Sequence, residues 1–181
     1  AACAGNHFAD RRDLALVRLL IGTGARLSEI ANLRWTPDND RTNDVDLDNG
    51  LVTVMGKGQR ERRVYMGGRA QAALDRYGRI RAEHPYAHLP WLWLGKKGRL
   101  SDSGVAQTVR ERGVKANLSQ LHAHQFRHAA AHALLSAGMQ EGNVMALLGW
   151  TDSTMLRRYA RAQAAQRALD AAREMRVMDR I

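Results

Sequence analysis

The chain is 181 residues long and 45% hydrophobic, and it carries 28 Lys and Arg against 18 Asp and Glu, for a formal net charge of +10 and a pI near 10.7. That length suits one compact domain able to bury a core, and the basic balance favours a polyanionic partner, nucleic acid first. No apolar run approaches the roughly 18 residues of a membrane span, no basic amphipathic helix has a strong aromatic face, and a single cysteine, Cys3, leaves no disulfide framework or thiolate metal cluster.

One cysteine suits a reducing, cytoplasmic setting, and residues 1–13 lack the basic and apolar regions of a secretory signal. Residues 10–22 place Leu14, Val17, Leu19, Leu20 and Ile21 at helical spacing, with Asp10 as the expected N-cap and Gly22-Thr23-Gly24 as the stop. A second helix is expected over residues 25–35, opening near Arg26 and burying Leu27, Ile30, Ala31 and Leu33 before Pro37 and an Asp/Asn run close it. Val45, Leu47, Leu51, Val52 and Val54 flank Asp48-Asn49-Gly50, the strongest short hairpin signal in the chain. A second reversal at residues 56–61 precedes an extended 62–66, so the segment reads as a three-stranded antiparallel meander with Lys57 on its second turn. Residues 69–83 are helical through Ala72, Ala73, Tyr77 and Ile80 until Pro85, and residues 91–94 suit a buried strand or extended segment. Ser101 to Ser103 offer a cap for a helix to about residue 117 with Val105, Val109 and Val114 inward. His122 opens a long helix to about residue 137, a short one covers 141–148, and an Ala-rich helical tail covers 160–176 with Leu169 and Met175 as apolar anchors. The fold class is therefore mainly α with a small three-stranded antiparallel sheet (α+β), in one domain over residues 1–181.

Several residues stand out from a plain helical core. His124 and Arg127, three apart in the first turn of a helix, share a face near the positive end of its dipole, where anions are stabilised. Arg26 follows a Gly-rich turn at a helix start, where a guanidinium can grip two phosphate oxygens in parallel. Glu29 sits one turn later, either orienting Arg26 or solvated. Lys57, on a glycine-flanked turn, suits a general acid or is a plain loop lysine. Tyr159 lies among arginines in Leu156-Arg157-Arg158-Tyr159, a candidate nucleophile. His124 and His128 have metal-ligand spacing, but the intervening Glu of the zinc-protease pattern is missing and the arginine-rich surroundings would repel a cation.

In order along the chain, these stretches resemble the boxes of the tyrosine recombinase, or phage integrase, family. Residues 23–30 with Leu33-Arg34-Trp35 resemble its first arginine box, residues 56–62 its lysine hairpin, His124-Gln125-Phe126-Arg127-His128 its His-x-x-Arg-His box, and Leu148-Gly149-Trp150 with Tyr159 its nucleophile box. The thirty-two residues from Arg127 to Tyr159 fit too. Trp150 stands where most members have histidine; an indole donates one N–H but moves no proton.

The resemblance implies a catalytic domain whose family companion, an N-terminal core-binding domain, has no counterpart in these residues. It implies site-specific recombination of double-stranded DNA: Tyr159 attacks the scissile phosphate to give a 3′-phosphotyrosyl link, Lys57 protonates the departing 5′-oxygen, and Arg26, His124, Arg127 and Trp150 stabilise the charge that develops. The link conserves the bond, so neither ATP nor a metal cofactor is needed. A tetramer on DNA, exchanging C-terminal helices and compatible with accessory DNA-bending proteins, is implied as well, acting in the cytoplasm at the nucleoid and not at a membrane. Two alternatives are a type IB topoisomerase-like relaxing activity, from the same chemistry without exchange of partners, and a non-catalytic DNA-binding protein, which would show degraded boxes.

Overall fold

A computed structural model describes residues 3, 5–56, 58, 60–152, 169 and 175. The chain divides into two compact units, residues 1–130 and 131–181.

The first unit is built on two helices, α1 (Phe8–Thr23) and α3 (Gly68–Ala82), which pack against each other. Leu16, Leu19 and Leu20 of α1 and Leu74 and Tyr77 of α3 are fully buried. Tyr77 stacks on Trp93 at 5.6 Å between centroids and meets Phe8 edge-on at the same distance. Phe8 is why α1 starts a turn earlier than Asp10 suggested: His7 is the N-cap, and Asp10 lies in the first turn, paired with Arg112 at 3.0 Å. At its other end Gly24 adopts the left-handed conformation (φ 58°) and donates to the Leu20 carbonyl. Gly22 also has to be glycine, because a Cβ there would sit 2.0 Å from the Met66 carbonyl oxygen.

The second helix, α2 (Leu27–Ala31), is far shorter than expected. Leu33 and Trp35 leave it to pair with an extended segment, accepting from Leu92 N at 2.8 Å and donating to the Pro90 carbonyl at 2.7 Å. Tertiary hydrogen bonding thus outbids helix periodicity there. Leu33 remains buried, while Leu27 is only half-buried.

The expected meander is present as β1 (Val45–Asp46), β2 (Leu51–Met55) and β3 (Glu61–Tyr65), antiparallel in that order, with Val52 opposite both Val45 and Val64. Val45, Val52, Val54 and Val64 face inward. A second, two-stranded sheet was not foreseen: β4 (Leu94–Gly95) and β5 (Gly98–Arg99) form a tight hairpin. On α3 the buried face is Ala70, Ala73, Leu74 and Tyr77, so Ala72 is exposed.

Ser101 caps α4 (Asp102–Lys115), its Oγ accepting from Gly104 N at 3.2 Å. Val105, Val109 and Gly113 make the inward stripe at four-residue spacing, which leaves Val114 out of phase and 59% exposed. Arg112 of α4 donates to Asp10 and to Asp13 of α1, and Asp13 also accepts from Arg12. This buried network fastens α4 to α1. Helix α5 (Ala123–Ser136) begins in the first unit.

In the second unit, α6 (Glu141–Leu148) ends as expected at Gly149, left-handed at φ 62°, with Val144 and Leu148 buried. The rest of the tail lies outside the described residues, except that Leu169 and Met175 are helical and 54% and 65% exposed.

Candidate active site

Arg26 is the N-cap of α2, with extended backbone that points its side chain off the helix start. Glu29, three residues on, reaches back to accept from the Arg26 backbone N–H at 2.7 Å, half of a capping box, and accepts again from the Arg26 guanidinium at 2.9 Å. Glu29 is 5% exposed, so of its two sequence readings the structure selects the orienting one. Its carboxylate is also gripped by a fork from β3, Arg62 Nη1 to Oε1 at 2.9 Å and Nη2 to Oε2 at 2.7 Å. Burial pulls this carboxyl upward, but the Arg62 hydrogen bonds and the Arg26 N–H outweigh it and hold it below its usual range.

Arg127, in the first two turns of α5, is 2% exposed and donates to the Gly24 carbonyl at 3.1 Å, the residue that ends α1. Burial, then the positive charges of Arg26 and Arg62, push it down to about 10, against the pull of Glu29. A cation held this way is ready for an anion. Together Arg26, His124 and Arg127 line a pocket of about 400 Å³ with Ala25, Leu27, Ser28 and Ala123. His124 and His128 meet edge-on at 4.5 Å, and burial together with His124 and Arg127 lowers His128. Among the described residues no three His, Cys, Asp or Glu side chains cluster to hold a metal ion.

Lys57 and Tyr159 lie outside the described residues. The glycines flanking Lys57 are described: Gly56 N donates to the Arg60 carbonyl at 2.9 Å across the turn, and Gly58 is left-handed at φ 74°. Trp150 belongs to the second unit, half-buried, with its backbone N–H on the Met145 carbonyl at 2.9 Å. Tyr77 is committed to the core: its hydroxyl donates to the Leu92 carbonyl and accepts from Leu94 N, and burial raises it to about 12. Arg62 escaped the sequence reading, although strand alternation places it on the inward face with the buried Val64, an unusual position for an arginine without a partner inside.

The Phage integrase family profile matches residues 2–166. A tyrosine recombinase XerC of Xanthomonas campestris pv. campestris (strain B100) is 38% identical over 144 residues, covering 78% of this chain and 41% of the relative. The XerC of Azotobacter vinelandii is 37% identical over 148 residues, 81% of this chain and 47% of that one. The chain thus spans less than half the length of these relatives. Among solved structures, XerA recombinase superposes with a TM-score of 0.72 at 26% identity over 83% of this chain and 52% of its own. XerH site-specific recombinase bound to palindromic difH substrate in a post-cleavage complex gives 0.72 at 22% identity, over 91% and 46%. The fold is that of the tyrosine recombinase catalytic domain, mainly helical with a small antiparallel sheet.

Proposed function

Because this chain belongs to the phage integrase family of tyrosine recombinases, we propose that it is the catalytic domain of a site-specific DNA recombinase that breaks and rejoins strands by transesterification through Tyr159. The observation that carries this reading is the pocket in which Arg26 from the start of α2 meets His124 and Arg127 from α5, segments about a hundred residues apart. Two guanidiniums and an imidazole lining one pocket are what a phosphodiester under attack requires, since attack builds charge on its non-bridging oxygens.

In this reading Arg26 and Arg127 hold those oxygens, His124 and the Trp150 indole donate to them, and Tyr159 Oη forms the bond to phosphorus while the 5′-oxygen leaves with a proton from Lys57. The incoming 5′-hydroxyl of a second strand reverses the step. The partner in this reading is double-stranded DNA; XerH is solved bound to its difH substrate and the Tn1549 transposon integrase in complex with transposon right end DNA. We place its action in the cytoplasm at the nucleoid; no described helix is long and apolar enough to cross a membrane. Assembly as a tetramer through exchanged C-terminal segments belongs to the same reading, as do accessory DNA-bending proteins.

The test is a nicked suicide substrate whose cleaved fragment diffuses away. The parent chain should be trapped covalently on the 3′ end, and Tyr159→Phe should bind the DNA equally yet leave no trapped complex. A Phe variant that still traps would transfer the nucleophile to another residue.

A further inference from the structure

Arg62 lies on the strand that leaves the Lys57 turn, and its guanidinium bonds both oxygens of Glu29. Each oxygen of Glu29 therefore serves two donors: Oε1 takes Arg26 Nη1 and Arg62 Nη1, and Oε2 takes the Arg26 N–H and Arg62 Nη2. The side chains of Arg62 and Glu29 are 14% and 3% exposed, whereas that of Arg26 is 40% exposed and opens to the pocket. The entry to the hairpin lies beside the same pair: a Cβ at Gly56 would be 3.3 Å from the Arg60 carbonyl oxygen and in ordinary contact with Arg62 Nη1 at 3.5 Å and Glu29 Oε1 at 3.7 Å.

On the reading that this pocket cleaves DNA, we propose that Arg62 is a positioning residue, which fixes the Arg26 guanidinium through the Glu29 carboxylate. A carboxylate rotates about its terminal torsion with little resistance, and Arg26 alone holds each Glu29 oxygen by a single hydrogen bond. The fork of Arg62 adds a second donor to each oxygen and so stiffens the carboxylate plane. Arg26, carried by a five-residue helix, then has a rigid acceptor to lean on and needs no ordering when the phosphate arrives. An inward arginine on β3 thus acts on a group it does not deliver to the substrate itself.

The experiment compares the parent chain with Arg62→Met, which keeps the length and apolar stem but loses the fork. The first readout is the Arg26 guanidinium Nε–H resonance in ¹H–¹⁵N spectra, with buried Arg81, whose Nε donates to the Leu92 carbonyl at 3.1 Å, as internal reference. Arg62→Met should average the Arg26 resonance and leave that of Arg81 in place. The second readout is covalent trapping under single-turnover conditions, where the rate should fall by about 10- to 100-fold for a misplaced donor while DNA affinity holds. In an Arg26→Ala background, Arg62→Met should change the rate less than about twofold, because the residue it acts through is gone. Glu29→Gln should loosen Arg26 as Arg62→Met does, which keeps the test open if the methionine variant does not fold, and Arg62→Lys should fall between. A parent-like Arg26 resonance in folded Arg62→Met or Glu29→Gln would overturn the proposal, as would full additivity with Arg26→Ala. A parent chain that never traps DNA would instead remove the recombinase reading, and the resonance of Arg26 would still decide whether Arg62 holds it.

Discussion

Arg127 offers the sharpest opposition between stability and function in this chain. Its depression from the ordinary guanidinium value to about 10 means that holding the charge in the folded state costs on the order of 3 kcal/mol, at about 1.4 kcal/mol per tenfold change in proton affinity. Replacing it with methionine removes that cost, keeps a flexible stem of similar length, and loses the bond to the Gly24 carbonyl, about 1 kcal/mol net, with some packing. Arg127→Met should therefore fold with about 1–2 kcal/mol more stability at neutral pH, or roughly 2–8 °C in Tm for a domain of this size. Covalent trapping should fall by at least about 10²-fold, as for a lost donor at a developing negative charge. The sign of the pH dependence follows from the depressed value. The penalty is fully present below about 10 and is relieved as pH rises from there toward the ordinary guanidinium range, so the variant's advantage should narrow in alkaline buffer. Thermal melts of both proteins in chloride buffer at pH 7.5, repeated with added sulfate, make the assay; sulfate should raise the parent's Tm more than the variant's. A variant that melts lower than the parent in chloride would refute the reasoning and make Arg127 a structural strut for the α1 terminus.

Lys57→Ala should slow cleavage of ordinary DNA by about 10²- to 10⁴-fold, as for a lost general acid, yet cleave DNA with sulfur in place of the bridging 5′-oxygen at close to the parent rate, because a thiolate leaves without a proton. Equal slowing on both substrates would reassign the lysine to binding, with His124 next in line as the acid. Ending the chain after Ala172 should lower cooperative assembly of two DNA sites more than binding to one, measured by gel shift on one-site and two-site DNA; equal losses would make the tail part of its own core.

What could be read from the sequence was what short-range chemistry dictates. Asp48-Asn49-Gly50 marks its turn because glycine accepts the left-handed conformation seen at Gly50, and Ser101 marks a helix start because its hydroxyl satisfies an otherwise unmet N–H. Arg26, His124 and Arg127 were legible because each sits at a helix start with a distinctive neighbourhood, and the pocket unites them. The misses share a different cause. Helix α2 ends early because Leu33 and Trp35 find partners near residues 90–92, and β4–β5 forms around Gly95-Lys96-Lys97-Gly98, whose local signal is weak. Arg62 was hidden for the same reason: its partner is thirty-three positions away, and no periodicity within β3 names it.

These misses explain how a strongly basic site can be stable before its substrate arrives. Three guanidiniums, those of Arg26, Arg62 and Arg127, surround one carboxylate, Glu29, so the pocket keeps an excess of positive charge. Had Glu29 been solvated, the three cations would repel one another with nothing buried between them, and the low exposure of Arg127 would be hard to sustain. Had a second carboxylate joined it, the surplus of positive charge would be halved and the pocket would have less to offer a phosphate. One acid shared by two arginines, with a third arginine held at a cost by the carbonyl of Gly24, leaves a surplus that a phosphodiester monoanion neutralises in part and its more highly charged transition state neutralises further. The stabilisation therefore grows along the reaction, which is the condition for an electrostatic site to accelerate the chemical step as well as to bind.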